Sequence, residues 1–333
     1  KAIKIPRHNK YWTGRYCTAT YSTIQIIDTL EKMELITQKK GYYDPVKHHS
    51  RYTRIYRTDA LLDLFKLLPQ HITYTPVEIV ELRDGNGNLK EYRETVVSDR
   101  YRRKLTLVNQ VNGQYDIKYC KYRIRPYLTA IFNGDFSTGG RLYTKGYRHY
   151  QGMSKDERTK LTINGQPTVE LDYKALHPHM LYAQEGIQYN EDPYTVVDDR
   201  PELRPFLKLV LLAMLNAKSY NEAQRPANVE IIDNYKFYEK FAIAKAKPII
   251  DRFIQAHKPI NKYFCTGAGL KLMNKDSKIA LDVCYAFARQ DKPILCIHDS
   301  FIVLQDDADQ LEQLMQSTYK KHTKGYHIKV TRN

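Results

Sequence analysis

The amino-acid sequence predicts an α+β fold, and three observations carry that prediction. Apolar residues recur at helical spacing over about 202–220, 230–256, 276–290 and 307–321. The runs Pro167 to Leu171, Ile294 to Ile297 and Phe301 to Leu304 have the length and β-branched content of buried strands. Aspartates stand where these runs end, in Glu170-Leu171-Asp172-Tyr173 and in Ile297-His298-Asp299-Ser300. An ionised carboxylate beside a buried strand is costly unless a cation or partner neutralises it. Two of them brought together in a strongly basic chain point to a divalent-metal site suited to phosphate chemistry.

Taken from the N-terminus, Ser22 to Ile36 predicts an amphipathic helix, with Ile24, Ile27, Leu30, Met33 and Leu35-Ile36 near one face. Gly41-Tyr42-Tyr43-Asp44-Pro45 breaks it, and Arg51 to Tyr56 alternates like a strand. Thr58-Asp59 caps a second helix, Ala60 to Leu68, which stops before Pro69. Helix, basic hairpin and helix resemble a winged-helix DNA-binding module over residues 1–70, with Lys39 and Lys40 on the wing; the alternative is a small helical cap. Residues 71–130 read as a β-rich, thumb-like connecting region with hairpin turns at Asp84-Gly85-Asn86-Gly87 and Asn112-Gly113. The first of these turns lacks the closing glutamate of a calcium loop. A further turn, Asn164-Gly165, delivers the strand that ends at Asp172, within a main domain spanning 131–333.

The charge balance is 53 − 37 = +16, which implies a polyanionic partner, and 28 tyrosines offer surfaces for stacking on bases. Five cysteines (Cys17, Cys120, Cys265, Cys284, Cys296) include no C-x-x-C pair, so neither a structural zinc site nor a secreted disulfide framework is expected. No apolar run reaches the ~18–20 residues of a membrane span, and no signal peptide is visible. The expected location is a reducing interior, the cytoplasm of a bacterial or phage-infected cell.

Arg204, Lys208, Leu212 and Asn216 repeat at i, i+4, i+8 and i+12. On an α-helix each step of four turns about 400°, so the four share one slowly drifting stripe. Two cations followed by an apolar and a small polar residue suit a nucleotide lying along it, phosphates first. Pro205 is compatible only in the first helical turn. His177 and His179, two apart, point to different sides of a helix, which argues against a histidine metal site.

The order Asp172, Arg204 to Ala217, His298-Asp299 resembles motifs A, B and C of family A DNA polymerases and the related single-subunit RNA polymerases. Asp135 to Tyr143, containing Gly140-Arg141-Leu142, is similar to the segment that in this family contacts the template–product duplex. The resemblance implies a right-hand polymerase palm and fingers, with Asp172, Asp299 and the Tyr173 carbonyl holding two Mg²⁺ (or Mn²⁺) ions. Arg204 and Lys208 would bind the triphosphate, with Leu212, Asn216 and His177 facing base and sugar. Arg141, Gln151 and His298 would contact nucleic acid. It implies DNA primer-template and nucleoside triphosphates as partners, and a DNA polymerase without proofreading exonuclease, of the kind found on mobile elements. Asn216, Ala217 and Leu212 depart from the usual Tyr, Gly and Phe. Ser300 matches the RNA-synthesising branch, whereas a bulky His177 suits exclusion of a ribose 2′-hydroxyl. The alternatives are an RNA-synthesising primase or polymerase, and a non-catalytic DNA-binding initiator with a polymerase-like fold.

Overall fold

The computed structural model describes residues 2–7, 22–46, 49–67, 78–145 and 149–333. Cys17 and the expected helix end at Leu68 lie outside them. The chain divides into two compact units, residues 1–78 and 79–333. Among the described residues no helix is long and apolar enough to cross a membrane.

The first unit contains β1 (Ile3–Ile5), α1 (Ser22–Lys32), β2 (Ile36–Lys39), β3 (Tyr42–Asp44), β4 (His49–Arg51), β5 (Thr53–Arg57) and α2 (Asp59–Leu67). β1, β5 and β2 form an antiparallel sheet in that order, and β3 pairs with β4. The first helix is shorter than expected. Glu34 adopts a left-handed turn (φ 59°), which releases Ile36 into β2, where it is buried. Thr58 caps α2 as expected, its Oγ1 accepting from the Leu61 N–H at 3.3 Å. Lys39 pairs across the sheet with Arg54, and Lys39 and Lys40 are both exposed.

The second unit begins with β6 (Val80–Arg83), α3 (Val96–Gly113), β7 (Ile117–Tyr119), β8 (Tyr122–Arg123), β9 (Leu128–Asn133) and β10 (Asp135–Thr144). It continues through α4 (Lys155–Arg158), β11 (Leu161–Ile163), β12 (Gln166–Tyr173), α5 (Leu176–Gln184) and α6 (Arg204–Asn216). Then come α7 (Tyr220–Asp233), α8 (Tyr235–Glu239), α9 (Lys247–Ala256), α10 (Gly269–Ala288), β13 (Leu295–Ile297), β14 (Ser300–Leu304), α11 (Ala308–His322) and β15 (Val330–Arg332). One sheet runs β13-β14-β12-β11-β7-β8, with β15 also on β12; a smaller one runs β10-β9-β6. Phe132, Phe287, Phe301, Leu105 and Leu128 are fully buried in the core of this unit. Each such side chain contributes about 1.5–3 kcal/mol by leaving water.

The reading of residues 71–130 as β-rich needs correcting at α3. Thr95 and Ser98 form a reciprocal capping box, and Tyr101, Leu105, Val108 and Val111 make a buried helical stripe. Asn112-Gly113 is therefore a helix end rather than a hairpin turn. The Asn112 amide instead bonds both the N–H and the C=O of Ile294, at 2.9 and 2.8 Å, holding the chain that enters β13. The Asn164-Gly165 turn does join β11 to β12.

Candidate catalytic cleft

β10, β12, α5, α6, α10, β15 and the turn between β13 and β14 converge on a cleft of about 470 Å³, lined by Arg141, Asp172, Tyr173, His177, Arg204, Lys208, Leu212, Asn216 and Asp299 among others. Asp172 lies on β12, and Asp299 lies in the turn that leads into the neighbouring strand β14. β12 and β14 pair antiparallel with Asp172 opposite Ser300, and the Tyr173 N–H donates to the Asp299 carbonyl at 3.3 Å. β13 and β14 are joined by a two-residue turn, His298-Asp299, and His298 takes the left-handed conformation such a tight turn requires (φ 59°). A non-glycine residue there costs on the order of 1–3 kcal/mol, strain of the kind that collects at functional sites. Ala175 (φ 52°) makes a second left-handed bend between β12 and α5, turning the chain from Asp172 toward His177.

The two carboxylates destabilise each other. Burial first, then the charges of Asp299 and Glu170, push the Asp172 carboxyl from 3.8 up to about 7, against an opposing pull from Lys208. Glu170 is not free to act as a third ligand. It accepts a bidentate pair from Arg158 (2.8 and 3.0 Å) and the Ser300 hydroxyl at 2.7 Å.

On α6 the four expected residues do share the cleft face, while Phe206, Leu207, Val210, Leu211, Met214 and Leu215 are buried on the other side. Pro205 lies in the first turn. Arg204 is pinned by Asp192 at 2.9 Å and sits 5.1 Å over the Tyr194 ring. Lys208 is exposed and has no hydrogen-bond or ion-pair partner among the described residues. The Asn216 amide donates to the Leu212 carbonyl of its own helix at 2.7 Å.

The residue that the sequence reading missed is Asp276 of α10, 1 % exposed. Its Oδ2 accepts from Arg141 at 2.6 Å and contacts His177 Nε2 at 2.7 Å, so one carboxylate fixes both side chains. The signal was present in the sequence: Leu272, Asp276, Ile279 and Val283 share one apolar helical stripe, and an acid on such a stripe needs a buried cation. β10 is bulged around Gly139, whose carbonyl accepts from the Asn274 amide of α10 at 3.3 Å. At Gly140 (φ 89°) a Cβ would meet Phe132 at 2.7 Å and Ser277 at 2.9 Å, so only glycine fits.

His298 stacks edge-on with Tyr143 at 5.2 Å, and burial followed by the Arg141 charge lowers its pKa. Gln151 is a correction to the expected nucleic-acid contacts. Its Nε2 donates to the Leu142 and Cys296 carbonyls (2.9 and 2.8 Å) and its Oε1 accepts from Thr144 N–H (2.8 Å), which uses the amide inside the fold. Lys39 and Lys40 belong to the first unit.

Among the described residues no group of three or more His, Cys, Asp or Glu side chains makes a metal cage. Two carboxylates with a main-chain carbonyl nevertheless fit Mg²⁺, which dehydrates reluctantly and commonly takes its other ligands from phosphate and water. The mutual repulsion of Asp172 and Asp299 is what such a cation would relieve.

No protein-family model matches the chain, and no curated protein matches it. Among solved structures it is similar to the POL domain of Pol1 from M. smegmatis, in complex with DNA primer-template and dNTP, at 13% identity and a TM-score of 0.40. The match covers 71% of this chain and 50% of that one, so the chain spans half its length. A likeness of this degree carries no functional weight, and the residues of the cleft must carry it instead.

Proposed function

We propose that the second unit is a metal-dependent nucleotidyltransferase that extends a primer 3′-hydroxyl with deoxynucleoside triphosphates on a DNA template. The observation that carries the reading is the juxtaposition, in one cleft, of two mutually repelling carboxylates and an unpaired lysine. A scaffold protein has no use for such repulsion, whereas phosphoryl transfer needs cation-binding acids facing a phosphate-binding cation.

In this reading Asp172, Asp299 and the Tyr173 carbonyl hold divalent cations. When bound, these supply activation of the 3′-hydroxyl and neutralise charge on the departing pyrophosphate. Lys208, and Arg204 after release from Asp192, bind the triphosphate and offset charge developing on it. Leu212 and Asn216 face base and sugar. His177, its ring fixed by Asp276, fills the space a ribose 2′-oxygen needs. Arg141, fixed by the same carboxylate, faces the duplex, and His298 lies beside the primer end. The first unit, read as a winged helix, holds DNA through Lys39 and Lys40.

The test is primer extension with Mg²⁺ or Mn²⁺, comparing dNTPs with rNTPs on DNA template. Extension lost in Asp172→Ala and Asp299→Ala, with unchanged circular dichroism, supports the reading. No extension by the intact protein under any divalent metal overturns it, and better use of rNTPs transfers the assignment to RNA synthesis.

A further inference from the structure

The face of α10 opposite Asp276 borders a second concentration of charge. Successive helical residues turn by about 100°, which sets Lys278, Leu281, Asp282 and Tyr285 roughly 140–240° from Asp276. Together with α3 and α11 they enclose a cavity of about 540 Å³ whose cations are Arg100, Arg103, Lys104, Lys278 and Lys321, with His322 beside them. An adjoining hollow of about 340 Å³, reaching α5, shares Lys278 and His322 and adds Lys275 and Lys324.

Little among the described residues answers this charge. Asp282 is the single carboxylate among the lining residues, and it is already shared by Lys104 and by His322 at 2.8 Å. Arg103 pairs with half-exposed Asp99 at 2.9 Å. Arg100, Lys278 and Lys321 have no partner among the described residues. Burial, reinforced by the Arg100 charge, pushes the Lys278 amine below its ordinary pKa, a strain that a seated anion relieves.

The aromatic walls are occupied. Lys104 lies 5.2 Å over the Tyr285 ring, and Tyr101 is 1 % exposed with its hydroxyl bonded to Ser277 at 2.8 Å. Cations spread over two joined hollows, without a free stacking face, suit an extended run of phosphates rather than a base.

We propose that this two-part hollow is a second nucleic-acid site, which grips the phosphodiester backbone of a single strand without reading its bases. It lies across α10 from the cleft of Asp172 and Asp299. The inference concerns binding alone, so it stands or falls separately from nucleotidyl transfer.

The experiment is fluorescence anisotropy of labelled oligothymidylate with the full chain across a NaCl titration. Arg100→Ala/Lys278→Ala/Lys321→Ala should flatten the log Kd against log salt slope by about 2, three contacts at ~0.7 each. The exposed pair Arg100→Ala/Lys321→Ala, which leaves the half-buried lysine in place, should flatten it by about 1.4. Charge-conserving swaps (Arg100→Lys, Lys278→Arg, Lys321→Arg) should keep the slope, as should Lys236→Ala/Lys240→Ala/Lys245→Ala on α8 and beyond. An unchanged slope in both depleted variants, or equal flattening in the α8 variant, overturns the proposal. Displacement of the oligonucleotide by tripolyphosphate at equal phosphate concentration overturns the strand assignment in favour of a small-polyphosphate site.

Discussion

Asp172→Asn should make the metal-free protein more stable at neutral pH while removing nucleotidyl transfer. Burial and the Asp299 charge raise this carboxyl from 3.8 to about 7. Between about pH 4 and 7 the folded chain therefore keeps a proton that the unfolded chain has released. Stability falls as pH rises through that window and stays low above it; below it, both states are protonated and the two proteins match. The rise spans roughly three pH units at ~1.36 kcal/mol each, an upper bound of about 4 kcal/mol. At ~2–4 °C per kcal/mol for a large domain, the asparagine variant should gain at most about 8–16 °C in Tm. The assay is thermal unfolding of both proteins in EDTA from acid to mildly alkaline pH, then with excess Mg²⁺. The Tm difference should open between about pH 4 and 7 and level off above. Mg²⁺ should raise the wild type far more than the variant, because a ligand stabilises only the state that binds it. A difference that does not vary with pH, or an asparagine variant less stable at alkaline pH, would refute the repulsion on which the metal argument rests.

Other expectations follow from single contacts. Lys208→Ala should lower kcat/KM for the nucleotide by about 10²–10³-fold, as for other transition-state donors, with partial recovery in Lys208→Arg; single-nucleotide incorporation measures it, and a loss within threefold (~0.6 kcal/mol) contradicts the role. Asp276→Asn removes the charge that holds Arg141 and His177 and should cost ~3–5 kcal/mol in urea unfolding. It should also raise the ratio of rNTP to dNTP incorporation, since the His177 ring loses its anchor. His177→Gly should shift that ratio further, and an unchanged ratio refutes the gate. Gly140→Ala forces a Cβ against Phe132 and Ser277 at positive φ, and should lower stability by about 1–3 kcal/mol; a melting curve indistinguishable from wild type rules this out.

The carboxylate strands were legible because each apolar run ends in a charge, a conflict visible without any partner. The α6 stripe was legible because a period of four survives in the order Arg204, Lys208, Leu212, Asn216. What local sequence cannot encode is pairing between distant segments: nothing near Asp172 announces that β14, from the far end of the chain, lies against β12. α3 was misread because Asn112-Gly113 has strong turn chemistry, which outweighed the Tyr101, Leu105, Val108, Val111 periodicity; packing of that stripe decides the matter. Asp276 was overlooked for a related reason. Its helix was expected, but a buried acid acquires meaning only once Arg141 faces it. Gln151 lies between the recognisable segments, and its neighbours give no hint that its amide is consumed by backbone groups.

That amide has a mechanical consequence. By tying the carbonyl next to Arg141 to one two residues before His298, Gln151 rivets together strands whose bonded positions lie 145 residues from its own at the far end. The strand of the arginine that faces one side of the cleft and the strand leading to the turn that carries Asp299 are thereby bridged by a single side chain. Moving β10 relative to that turn would have to break one of these Gln151 hydrogen bonds.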